Sequence, residues 1–166
     1  MIGIRQKERV YLSLVYITIT AWLTILFFAL LPQKVNRVTN VIVFFVTSIV
    51  DINKLTLNIS TFSLIKPIVT YSHWLALVVY RDITMSIILL IFVNVYFTTQ
   101  AKRGKWGITI LTFFLLLAGS QVLRAYNIIQ YTGWTIYYEI ICIAALIGIT
   151  LLTARITTRL DGGKTI

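Results

Sequence analysis

Residues 38–69 read VTNVIVFFVTSIVDINKLTLNISTFSLIKPIV, and how this stretch is laid out decides the architecture. Residues 41–50 are apolar but too short to cross a bilayer alone, since a spanning helix needs about 20 apolar residues. Asp51, Asn53 and Lys54 then interrupt, and a mixed apolar pattern resumes at 56–65 before Lys66 and Pro67. One straight crossing would set Asp51 and Lys54 near the bilayer centre, at about 2.5–3.5 kcal/mol each on insertion scales. Two shorter helices in a re-entrant or interfacial hairpin avoid that cost, because irregular backbone is tolerated at membrane depth where protein covers it. The stretch is therefore expected to form such a hairpin, with a full crossing as the alternative.

Four segments around it read as transmembrane helices: 10–31, 74–98, 106–125 and 134–154. The first stops at Pro32, and the other three open on Trp74, Trp106 and Trp134, the aromatic belt expected at headgroup level. Arg5, Lys7 and Arg9 precede the first segment, which is too long for the apolar core of a signal peptide and lacks its cleavage pattern, so it reads as a retained span. Residues 160–166 read as a short, frayed tail. The expected fold class is an all-α integral membrane helical bundle forming a single domain, 1–166, with four spans plus the hairpin, or five spans. Composition agrees: 58% of the 166 residues are apolar and only 12% are charged. A 19.0 kDa soluble domain cannot hide that much apolar surface, and disorder demands more charge and fewer aliphatic residues.

The net charge of +10 serves mainly as an orientation signal. With four crossings and both termini cytoplasmic, nine basic residues lie inside (Arg5, Lys7, Arg9, Lys102, Arg103, Lys105, Arg155, Arg159 and Lys164) and five lie outside (Lys34, Arg37, Lys54, Lys66 and Arg124). If 38–69 also crosses while the N-terminus stays inside, the count turns to five inside and eight outside. The positive-inside rule favours four crossings, a cell-membrane location and cytoplasmic termini. Lys102, Arg103 and Lys105 then meet anionic lipid headgroups, each contributing about 1 kcal/mol. The basic residues are spread over every loop, which is not the single basic face of a nucleic-acid binder.

Ionisable residues inside spans are functional candidates by default. Here they are Arg81 and Asp82 in the second span, Arg124 with Gln121 near the end of the third, and Glu139 near the start of the fourth. Arg124 and Glu139 are expected to meet across the short connection 126–133. Arg81 and Asp82 point about 100° apart on a helix, so they are not expected to face one partner. Asp51, Asn53 and Lys54 would cap the cluster if the hairpin folds over it. The group reads either as ion pairs fixing helix register or as a small polar cavity that binds a ligand or partner. Asn94 reads as an interhelical hydrogen bond. Ala118-Gly119-Ser120 and Ala144-x-x-x-Gly148 read as close-packing patches.

Other chemistry is absent from the sequence. There is one cysteine, Cys142, and one histidine, His73, expected at the mouth of its span and far from the thiol. That is too few ligands for zinc and no basis for a disulfide. No phosphate-binding loop, nucleophile elbow or metalloprotease motif occurs, so no cofactor or metal is expected. Asn58-Ile59-Ser60 matches a glycosylation sequon, a three-residue pattern that chance explains. Three functions fit: a non-enzymatic accessory, sensor or immunity-type module binding a membrane partner; a small oligomeric transporter or channel; and, least well, a lipid-acting enzyme with Glu139 or Asp82 as base.

Overall fold

A computed structural model of the chain describes residues 2–67 and 71–160. In chain order these form α1 (Ile2–Leu30), α2 (Arg37–Thr61), β1 (Ile65–Pro67), α3 (Tyr71–Thr98), α4 (Lys102–Ala125), β2 (Ile129–Tyr131) and α5 (Ile136–Leu160). All five helices are long and apolar enough to cross a membrane, so the all-α membrane bundle holds. The tail expected after Leu160 lies outside the described residues.

The hairpin expected in 38–69 is absent: α2 continues through Asp51 and Lys54 without a break. The insertion cost that argued for a break assumes that these charges meet lipid. Instead they lie one turn apart on one helix face, and Lys54 Nζ comes within 2.8 Å of Asp51 Oδ1. The Asp51 side chain is only 6% exposed, turned into the bundle. The buried positions of α2 recur as Asn40, Val43, Thr47, Asp51, Leu55 and Asn58, three or four apart, which is one stripe of a helix.

The helix runs the whole length of the bundle. At one end the Val35 N–H donates to Asn94 Oδ1 (3.3 Å) on α3, and Asn94 Nδ2 donates to Asn40 Oδ1 (2.9 Å) near the start of α2. At the other end, just past α2, β1 pairs antiparallel with β2, with Ile65 opposite Tyr131 and Pro67 opposite Ile129. The four-crossing layout would put 31–36 and the end of α3 on opposite sides of the membrane, whereas they are hydrogen-bonded. The start of α1 and the end of α5 accordingly lie at opposite ends of the bundle.

Helix α3 is the centre. Of its most apolar window 61% is buried within the protein, against 17–33% for the other four. It packs on α1, α2, α4 and α5, and α2 also packs along α5. Leu89, Phe92 and Val93 of α3 are sealed, with Val43, Leu116 and Ile143 from the surrounding helices. Asn94 is sealed with them and also donates to the Leu90 carbonyl, so its amide is engaged as expected.

Local chemistry shapes both ends. Pro32, which lacks an N–H, follows α1. Asn36 caps α2, its side chain accepting from the Val38 N–H. Helix α4 ends in a Schellman turn: Asn127 takes a left-handed φ of 54°, its N–H donates to the Arg124 carbonyl, and the Ile128 N–H donates to that of Leu123. Ser63 takes a φ of 51° past the end of α2. Each left-handed residue turns the chain into a strand, so the short β1–β2 ribbon caps the end of the bundle that holds the charges. The Thr132 N–H donates to the Leu64 carbonyl and the Thr132 hydroxyl to that of Ser63, closing the ribbon.

Candidate functional site

Beneath the ribbon lies a cavity of about 40 Å³. Its polar wall is Asp51 and Lys54 of α2, Tyr80 and Arg81 of α3, Ser120 of α4, and Trp134 with Glu139 at the start of α5. Ile65 and Ile129 close it from the ribbon. The volume admits a water or a small ion and no organic substrate.

The helix α3 changes its winding here. Val79–Met85 forms a π-helical turn, a loosening that often marks functional positions. It carries Tyr80, Arg81 and Asp82 together. Arg81 and Asp82, not expected to face one common partner, pair with each other: Arg81 Nε donates to Asp82 Oδ1 at 2.6 Å and Nη2 to Oδ2 at 3.0 Å. The long guanidinium stem bends back over the wide turn, so angular separation at the backbone does not keep the side chains apart. Arg81 reaches the cavity wall, whereas the Asp82 side chain keeps 32% of its surface exposed.

Glu139 is buried, and its Oε2 accepts from Trp134 Nε1 at 2.7 Å. Trp134, expected in the aromatic belt, is thus an interior residue and a partner of the acid. Trp74 and Trp106 are exposed, as a belt requires. Gly119 lets Tyr80 into the wall, since a Cβ at 119 would collide with the Tyr80 hydroxyl.

Of the seven candidates, the fold brings Asp51, Lys54, Arg81 and Glu139 together, with Asp82 attached through Arg81. Gln121, half-buried, and Arg124, exposed, are not in the wall. The donor found on Glu139 is Trp134, and Arg124 lies exposed at the end of α4. Among the described residues, the cavity wall and the Arg81–Asp82 pair together hold three carboxylates and two basic groups.

Tyr80, Ser120 and Trp134 were not legible as site residues. Ser120 lies in the small-residue patch, but only the helix crossing turns its hydroxyl to the cavity. His73, expected at a span mouth, is buried on α3. Asn58 of the sequon is also buried, its Nδ2 donating to the Lys54 carbonyl at 2.8 Å. The chain matches no protein-family model, no curated protein and no solved structure, so its function is argued from this site.

Proposed function

We propose that the chain is a non-enzymatic, multi-pass cell-membrane module that binds a protein partner inside the bilayer, as an accessory subunit, sensor or immunity-type protein. The observation that carries this reading is the Arg81–Asp82 pair. It sits eleven residues into a helix of 28, roughly 16 Å from the start at 1.5 Å per residue, with Asp82 still 32% exposed. Charge at that depth is costly against lipid tails and is expected to be covered by polar protein. A partner helix offering a hydrogen-bond donor to Asp82 supplies that cover. Catalysis is disfavoured: the Asp82 carboxylate is held by Arg81, that of Glu139 by Trp134, and the cavity has no room for a lipid headgroup.

In this reading all five helices cross. One end of the bundle then carries Lys34, Arg37, Lys102, Arg103, Lys105, Arg155 and Arg159, with Lys164 following in the sequence, and the other carries Arg5, Lys7, Arg9, Lys66 and Arg124. Eight against five puts the first end in the cytoplasm and the N-terminus outside. Reporter fusions at the N-terminus and after Gln100, Tyr131 and Ile166 check this. Cytoplasmic signal at the N-terminus and after Tyr131 would reverse it.

A photo-crosslinking residue at Ile83, itself exposed beside the pair, tests partner binding in native membranes. The expected result is one stoichiometric protein adduct that disappears in Asp82→Leu. Adducts with lipid only, on a chain that purifies as a monomer, would refute the reading.

A second reading, a small oligomeric transporter, draws on the polar stripe of α2. Asn40 with Asn94, Ser48 with Ser86 (2.9 Å) and Asp51 with Lys54 form successive polar steps along the bundle. Flux into liposomes that is unchanged by Asp82→Asn and Glu139→Gln would remove it.

A further inference from the structure

The opposite end of the bundle carries a second polar arrangement, built only from basic and aromatic groups. Lys105 Nζ lies 5.2 Å above the centre of the Tyr96 ring, and Arg155 Nη2 donates to the Tyr96 hydroxyl at 3.2 Å. One tyrosine of α3 thus gathers a lysine of α4 and an arginine of α5. Beside it is a cleft of about 240 Å³ lined by Tyr96, Lys102, Lys105, Trp106, Thr109 and Leu151. Asp51 and Glu139 line the cavity beneath the ribbon and Asp82 pairs with Arg81 there, so among the described side chains no carboxylate is placed against this cluster.

Thr109 also belongs to the wall of a second groove, of about 480 Å³, along the outer seam of α4 and α5. Its other walls are Ile110, Phe113, Phe114, Ala144 and Ile147, all apolar. Ala144 is small, and one turn on a Cβ built at Gly148 would meet no atom within 4 Å, so the seam stays open on the α5 side. From Lys105 to Phe114 is nine residues, roughly 13 Å along the helix. A basic head site therefore leads into an apolar channel of the length of half an acyl chain, with Trp106, 70% exposed, at the mouth.

We propose that this seam holds one anionic phospholipid, its phosphate among Lys102, Lys105 and Arg155 and an acyl chain along Ile110, Phe113 and Phe114. Anion charge suits the head cluster, and neither a soluble phosphate nor a neutral lipid uses both parts. Lys102 and Lys105 line the cleft and Arg155 joins it through Tyr96, whereas Arg103 is absent from the wall and, among the described residues, donates to none of those that form it, so of the basic loop residues only Lys102 and Lys105 take the headgroup. The site is independent of the Arg81–Asp82 partner reading and requires only that the bundle sits in a membrane.

The test is lipid retention by the full chain, extracted from nanodiscs containing equal parts of phosphatidylglycerol and phosphatidylcholine and weighed by native mass spectrometry. The expected result is one retained phosphatidylglycerol in preference to phosphatidylcholine. Lys102→Gln or Lys105→Gln lowers retention about fivefold each, and Arg103→Gln leaves it unchanged. Ala144→Leu, which fills the groove, lowers retention without restoring phosphatidylcholine. Soluble glycerol phosphate competes poorly, since it lacks the chain. Equal retention of the two lipids, an Arg103→Gln effect as large as that of Lys105→Gln, or full displacement by glycerol phosphate would overturn the proposal.

Discussion

The bundle holds two ion pairs that lie close in sequence type and differ in circumstance. Asp51 and Lys54 are one turn apart on regular helix, with the aspartate 6% exposed and the lysine 22% exposed. Arg81 and Asp82 are adjacent on a π turn, with the arginine 19% and the aspartate 32% exposed. The first pair closes on itself inside the protein and lets α2 pass unbroken along α3 and α5. The second leaves its acid accessible partway along the central helix. The same chemistry thus serves packing in one place and points outward in the other, and burial separates the two roles.

That contrast is sharpest in stability. Lys54→Met leaves Asp51, only 6% exposed, without its counter-charge and is expected to cost about 3–5 kcal/mol in reversible unfolding in detergent. The double change Asp51→Leu with Lys54→Met recovers most of the loss, because both charges go together. Arg81→Met costs about 1 kcal/mol or less in detergent, where solvent reaches the aspartate left behind, 32% exposed. Equal losses for Lys54→Met and Arg81→Met would erase the distinction between an internal and an outward pair.

Smaller effects probe the wall around the first pair. Gly119→Leu drives a side chain into Tyr80 and is expected to cost about 1–3 kcal/mol, with altered near-ultraviolet circular dichroism from the displaced ring. Trp134→Phe removes the donor to Glu139 and leaves a buried carboxylate short of a partner, about 1–2 kcal/mol by the same unfolding measurement. Glu139→Gln retains an accepting oxygen and is expected to lose less than Trp134→Phe; a larger loss would show that the charge, not the hydrogen bond, is what the cavity uses. Asn94→Leu removes its bonds to Asn40 and Val35, about 0.6 kcal/mol each on the scale measured for interhelical bonds in membranes, and so costs about 1 kcal/mol.

Much of the fold was legible. Long apolar runs, stops at Pro32 and at Lys102, and exposed Trp74 and Trp106 all follow from the chain's own chemistry. All five charged members of the cluster were also found from sequence, because ionisable residues are conspicuous against an apolar background. The spacing of Asn40, Thr47, Asp51 and Asn58 carried a signal for one continuous helix face, masked by weighing Asp51 and Lys54 against lipid rather than against neighbours. Trp134 misled for the opposite reason: a tryptophan at a span boundary belongs to the headgroup level only when no buried acid is within its reach.

By itself the sequence determined that this is a membrane bundle, where four of its five helices lie, and which residues are too polar to face lipid tails. These follow from transfer of each segment between water and hydrocarbon, a property additive along the chain. Only the tertiary structure decided that α2 runs the whole length, that Arg81 turns to its neighbour, that Glu139 takes a tryptophan, and that a two-strand ribbon closes the cavity. Those outcomes depend on which groups meet across helices, where a charge costs several kcal/mol alone and little when paired. Pairing is set by packing, and packing joins residues that sequence separates.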